Sequence, residues 1–189
     1  MMVNLIQQMT NALIQIVLFM LLPFIWWFVT ARRKSSFLDW IGFKPLKDTG
    51  NHKMWLWIFL GLLSFTIFSY LVLYTIVKDL KTATSSFSGL GFQALPAVLI
   101  YSLFQTSLPE ELLFRGFLLK RFSVCLPFGV ANTIQAALFG LLHGLMFITE
   151  VSWLQTLVII LCTGGIAAYL GFVNEKKSGG SILASWIMH

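Results

Sequence analysis

Residues 97–121 read AVLIYSLFQTSLPEELLFRGFLLKR. Apart from its centre, the stretch is an apolar run of about 20 residues, the length that carries an α-helix across the hydrocarbon core of a bilayer. It closes on Lys120 and Arg121, the charged punctuation that ends such a helix at a membrane surface. The centre breaks the pattern with Pro109, Glu110, Glu111 and Arg115. Ionisable groups at that depth are costly and are kept where they face a cavity or a partner, so they mark a functional site by default. Glu111 and Arg115 stand four residues apart with the acid first, the arrangement that favours an ion pair on one helix face. Glu110 is turned by about 100° from Glu111 and need not share that partner. Pro109 predicts a kink or a fresh helix start, with both carboxylates in a first turn whose backbone N–H groups are free. A plainer role for Glu111 and Arg115 is a buried pair that locks helices together.

Working outward, the 189 residues are 58% hydrophobic and only 11% charged, against roughly 25% charged in a soluble domain. The apolar residues fall into long runs, which excludes a disordered chain, a disulfide scaffold and an ordinary soluble enzyme. The two cysteines, Cys125 and Cys162, form no C-x-x-C pair and give no sign of a disulfide framework or metal knuckle. The 13 basic and 7 acidic residues give +6, but the basic ones cluster at the ends of apolar runs and act as orientation signals, so nucleic acid is not an expected partner.

The expected fold is all-α, a polytopic membrane helical bundle with five complete spans and a truncated sixth. The spans fall at about Leu5 or Ala12 to Thr30, Trp55 to Val77, Ala97 to Lys120, Thr133 to Thr149 and Trp153 to Val173. A basic loop covers residues 31–53 and includes His52, read as a solvated surface residue; an outer loop covers Thr82 to Pro96. Gly179 to His189 begins the sixth span and stops. This topology places ten Lys and Arg residues in three inner loops, and Lys78 and Lys81 outside, a bias that sets the N-terminus outside. Residues 1–94 form an N-terminal unit of spans and basic loop, and residues 95–189 a core that carries the chemistry.

Two further polar residues lie inside apolar runs. His143 follows Phe139 by four residues, so the two share a helix face, and His189 ends the last run. On its own a His in a span need only be an interhelical hydrogen bonder. Depth gathers these residues into a site. Glu110 lies ten residues from Lys120, and His189 ten from Gly179, about 15 Å or half the hydrocarbon core in each case. His143 reaches the same level if its span begins near Thr133, which makes Leu126 to Asn132 a loop. Glu110, His143 and His189 then meet near the midplane. A carboxylate and two imidazoles in a dry cavity fit hydrolysis, with acid and imidazole activating a water and a second imidazole donating to the oxyanion. The same three residues could hold zinc as His₂Glu, the less favoured alternative to a site with no cofactor. No H-E-x-x-H or G-x-S-x-G element is present.

Glu110-Glu111-Leu112-Leu113-Phe114-Arg115, then Phe139-x-x-x-His143, then His189, resemble the three motifs of the CAAX protease and bacteriocin-processing (Abi) family. The resemblance covers about residue 95 to the end. It implies a multi-helix intramembrane endopeptidase of the glutamate type. Glu110 would be the general base, His143 its partner on the water, and His189 an oxyanion stabiliser, while Glu111 and Arg115 would maintain the architecture beside Phe139. It implies a lipid bilayer and a peptide or lipidated-protein substrate as partners and no resident cofactor; it specifies no oligomeric state, and the short compact form with its apolar composition is what suggests a bacterial plasma membrane as location. The family's third motif normally reads H-x-x-x-N. Here the chain ends at His189, so the expectation is a truncated or degraded member. The competing function is a non-catalytic bacteriocin self-immunity or regulatory membrane protein on the same scaffold. A small transporter would also explain buried Glu and His, but no paired discontinuous spans are present.

Overall fold

Threonine and serine hydroxyls within the apolar helices return to the backbone, as they must where no water competes. Thr10, Thr30, Ser64, Thr66 and Thr75 each donate to the carbonyl four residues earlier at 2.7–2.9 Å. The computed structural model describes residues 5–47, 50, 52–77, 80 and 82–189. Asp48 of the basic loop, and Lys78, Asp79 and Lys81 at the outer end of the second expected span, lie outside the described residues.

Helix α1 is Leu5–Thr30, α2 is the short Phe37–Ile41, and α3 is His52–Val72, continued by a π-turn at Leu73–Val77. Two 3₁₀ turns, Ala83–Phe87 and Gly91–Ala94, lead into α4, a composite helix over residues 95–125. Then come α5 at Phe128–Phe147, α6 at Trp153–Lys177 and α7 at Leu183–Met188. The described residues contain helix and no strand. Among the described residues four helical stretches are long and apolar enough to cross a membrane: Leu5–Thr30, His52–Ile76, Phe128–Phe147 and Trp153–Lys177. Their outward faces carry Leu13, Val17, Leu21, Phe59, Leu63, Leu141 and Leu157, all exposed, a surface suited to lipid and hostile to water.

Four of the five expected complete spans, the first, second, fourth and fifth, correspond to these helices. The third expected span is the continuous α4, whose five charged residues set it apart from purely apolar spans. The last run yields only the six-residue α7. His52 opens α3 and is exposed, so it sits on a helix end rather than in the loop. Part of the expected outer loop is helical, with the two 3₁₀ turns and the start of α4 at Leu95.

Pro109 neither ends nor restarts α4. Backbone angles stay helical at Ser107 (φ −61°, ψ −54°), Leu108 (−60°, −48°) and Glu110 (−66°, −42°). The proline is accommodated by wider π-turns on both sides, Ile100–Ser107 and Glu111–Leu119, with the Leu108 N–H reaching back five residues to the Leu103 carbonyl. Wider turns absorb a ring that would clash with the i−4 carbonyl of a regular α-helix. The carboxylates therefore stand in mid-helix, not in a first turn with free N–H groups.

Helix α5 starts at Phe128, five residues before the expected Thr133, because only Leu126 and Pro127 leave helical geometry. Its first turns are held to α6 by buried amides: Asn132 donates to the Ala168 carbonyl at 2.8 Å and Gln135 to the Ala167 carbonyl at 3.1 Å. Further along, α5 and α6 touch backbone to backbone. A Cβ on Gly140 would strike the Ile160 carbonyl and come within 3.2 Å of the Gly164 Cα.

The basic clusters gather at one end of the bundle. Lys120 pairs with Glu175 at 2.7 Å and donates to the Gly180 carbonyl at 2.9 Å. The turn that carries α7 is pinned to the first basic loop by Ile182 N–H to Gly42 O at 2.9 Å and the Ser181 hydroxyl to Lys44 O at 2.5 Å. Gly42 ends α2 at φ 86°, and a Cβ there would lie 2.7 Å from the Gly180 carbonyl, so both its conformation and the docked turn require glycine. Around this end Arg121 stacks on Trp40 at 4.2 Å, Lys176 on Phe128 at 4.6 Å and Lys177 on Trp57 at 5.0 Å, aromatic and cationic groups paired as at a membrane interface.

Candidate active site

Glu111 is fully buried, and three groups converge on it. Arg115 Nη1 lies 3.0 Å from its Oε1, as the i,i+4 spacing predicts. His189 Nδ1 is 2.9 Å from the same oxygen. The Ser185 hydroxyl donates to Oε2. Asn174 in turn fixes Ser185, donating from Nδ2 to Oγ at 2.6 Å and accepting from the Ser185 N–H at Oδ1 at 3.0 Å. Glu111, Arg115, Asn174 and Ser185 all have zero exposure. The Arg115 guanidinium lies near Glu111 without hydrogen-bond alignment, and its plane covers the Phe139 ring at 4.5 Å.

Glu110 projects differently, as its angular offset predicted. Its Oε2 is 3.5 Å from His189 Nε2, an ion-pair distance too long for a well-formed hydrogen bond. The same oxygen is buried with no hydrogen-bond partner among the described residues. His189 thus stands between the two carboxylates, one nitrogen toward each, with Phe65 and Phe139 edge-on to its ring at 5.6 and 6.1 Å.

His143 lies against Phe139, ring centroids 4.3 Å apart, and its Nδ1 is 3.0 Å from the Phe139 carbonyl. A carbonyl only accepts, so Nδ1 carries the proton and a neutral ring has its lone pair on Nε2. Glu110, His143 and His189 line one cavity of about 810 Å³, within the roughly 300–1,000 Å³ range of ligand sites. The three residues expected to meet share the lining of one cavity, although α5 begins earlier than the depth argument required. Among the described residues no three His, Cys, Asp or Glu side chains are arranged to hold a metal ion.

Sequence reasoning missed Ser185 and Asn174. A signal was present: Ser185 precedes His189 by one turn, and Asn174 is an amide near the end of an apolar helix. Neither marks its partner, since their contact joins α6 to α7.

A bundle of apolar helices that holds a carboxylate and two imidazoles around one cavity sets membrane proteins with a buried polar site as the class to compare. Residues 92–189 match the family model Rce1-like, described as type II CAAX prenyl endopeptidase Rce1-like, and the chain belongs to that family. No curated protein and no solved structure matches it. Membership points to intramembrane CAAX protease activity in a multi-pass membrane protein, with a lipid bilayer around it and a peptide as substrate.

Proposed function

We propose that the chain is an intramembrane glutamic endopeptidase that cleaves a membrane-associated peptide or protein, with Glu110 as general base. The observation that carries this reading is the buried Glu110 Oε2, without a hydrogen-bond partner, in the same cavity as His143 and His189. A carboxylate oxygen with unused acceptor capacity can take a proton from a water molecule. His143, with Nδ1–H committed to the Phe139 carbonyl, offers Nε2 as a second acceptor to orient that water. The hydroxide attacks the scissile carbonyl, and the oxyanion is met by a donor from His189 Nε2. Supplying that donor requires a proton on Nε2 as well as the one Nδ1 gives to Glu111, a doubly protonated ring between two carboxylates. Glu110 returns its proton to the leaving amine. Glu111, tied to Arg115, Ser185 and His189, is a positioning residue that fixes the imidazole.

This reaction draws on no metal ion. We also propose five crossing helices with a sixth begun at α7, in a bacterial plasma membrane, with the N-terminus outside and the end rich in Lys and Arg inside; the basic end described above supports that orientation. The test is cleavage of a membrane peptide by the purified chain in lipid. Glu110→Gln should abolish cleavage, His143→Ala should reduce it by about 10²–10⁴-fold, and thorough chelation should leave it unchanged. Cleavage by Glu110→Gln at the normal rate would overturn the assignment. Protection of cells against a bacteriocin that survives Glu110→Gln would instead favour a binding role.

A further inference from the structure

Gln135, Phe139 and His143 follow one another at four-residue spacing on one face of α5, and the first of them has no part in the reaction proposed above. Gln135 is fully buried. Its Nε2 donates to the Ala167 carbonyl at 3.1 Å and to Asn132 Oδ1 at 2.9 Å, while Asn132 Nδ2 donates to the Ala168 carbonyl at 2.8 Å. Backbone carbonyls only accept, so each amide has one orientation, and the oxygen of Gln135 is turned away from the α6 backbone. That oxygen, Oε1, is buried and has no hydrogen-bond partner among the described residues.

The complementary group is on α4. Nε, Nη1 and Nη2 of Arg115 are all buried, and none has an aligned hydrogen-bond partner among the described residues. The contacts between α4 and α5 put the two side chains at one height. Asn132, three residues before Gln135, and Leu119, four after Arg115, both pack beside Gly171. Phe139, four residues after Gln135, meets the Phe114 ring at 4.9 Å and the Arg115 guanidinium at 4.5 Å. Between those contacts an acceptor without a donor stands across from donors without an acceptor. Ala136, Ala167 and Ala168 pack in the same cluster as Phe139, so the neighbouring side chains are short. A buried water is held where it finds two or more polar partners, and here it donates to Gln135 Oε1 and accepts from a guanidinium N–H.

We propose that an ordered water bridges Gln135 Oε1 to the Arg115 guanidinium, and that Gln135 is thereby a positioning residue of the site. The guanidinium lies over Phe139 with Nη1 3.0 Å from Glu111 Oε1, a long side chain held by one face and one nitrogen. The bridge fixes its remaining edge. Arg115 so held keeps Glu111 Oε1 in place, the oxygen that His189 Nδ1 meets at 2.9 Å. Gln135 therefore acts on His189 through two intermediaries and touches no reacting atom. Its effect on turnover rests on the protease reading given above; the bridge itself does not.

The experiment is a double-mutant cycle on the full chain in lipid, with Gln135→Met, Arg115→Met and the two combined. Gln135→Met should lower kcat by about 10-fold with KM changed by less than about 2-fold, and should cost less than about 2-fold more in kcat once Arg115 is already Met. Its loss of unfolding temperature should likewise be smaller in the Arg115→Met background, where only the bonds to Asn132 and Ala167 are left to lose. Gln135→Glu, which keeps the side-chain oxygens and gives up the amide donors, should retain more kcat than Gln135→Met. Equal losses in the two backgrounds, a change confined to KM, or a Gln135→Glu variant as slow as Gln135→Met overturns the proposal. If Arg115→Met does not fold, Arg115→Lys, which keeps the charge without the planar fork, takes its place in the cycle. The unfolding cycle needs no turnover, so a failure of the protease reading in the Glu110→Gln assay is distinguishable from a failure here.

Discussion

Removing the positive charge of Arg115 tests how the buried centre is held. Arg115 and Glu111 are both fully buried with 3.0 Å between Nη1 and Oε1. At an effective dielectric of about 20, two unit charges at that distance attract by ~5 kcal/mol. Desolvation offsets much of this while both partners are present. In Arg115→Met the carboxylate keeps its desolvation cost and loses its counter-charge, a change that costs about 3–5 kcal/mol in buried pairs. Two features hold the cost near the lower figure. Glu111 retains His189 and the Ser185 hydroxyl as partners, and the guanidinium makes no aligned hydrogen bond to lose. Its stacking on Phe139 adds about 0.5–2 kcal/mol. We therefore expect Arg115→Met to cost about 3.5–5 kcal/mol, or ~7–20 °C in unfolding temperature at the sensitivity of domains this long. The double variant Glu111→Gln with Arg115→Met, which leaves no buried charge in the pair, should recover at least about half of that. Thermal unfolding in detergent micelles, followed by tryptophan fluorescence, reads both. A loss below ~1 kcal/mol in the single variant, or a double variant no more stable than the single, refutes the claim that an uncompensated carboxylate sets the cost.

Ser185→Ala removes a donor to Glu111 and strands the Asn174 amide, so it should cost about 1–3 kcal/mol in the same unfolding assay. Because Glu111 then holds His189 less firmly, kcat should fall more than KM rises. Gly140→Val should destabilise by about 1–3 kcal/mol, since its side chain would press on the Ile160 carbonyl and the Gly164 Cα, while Gly165→Val, with open space around its Cα, should be tolerated far better.

Glu110, Glu111 and Arg115 were legible because charge inside an apolar run is conspicuous and because helical spacing separates the two carboxylates in direction. His143 and His189 stood out as imidazoles inside apolar runs, but the depth argument that joined His143 to the others assumed a start near Thr133 that α5 does not have. The start of α5 was misplaced because Asn132, a polar residue inside the stretch read as loop, is an amide buried against the α6 backbone. The restart at Pro109 was misjudged for a related reason: the rule for proline assumes α-helical turns, and α4 uses wider ones on either side. The double engagement of His189 could not be read at all, since it depends on how α7 is rotated, and that is fixed by a turn docked 137 residues away in sequence at Lys44.

Hydropathy, charge spacing and helical period are properties of neighbouring residues, so the sequence alone determined that the chain is a bundle of membrane helices and which polar side chains lie at its centre. Partners and closure arise between helices. They depend on the azimuth at which each helix faces its neighbours, set here by the glycine contact of α5 with α6 and by the pinned turn before α7. Tertiary structure therefore decided that Ser185 and Asn174 complete the Glu111 centre and that one oxygen of Glu110 is left without a hydrogen-bond partner among the described residues, beside a cavity.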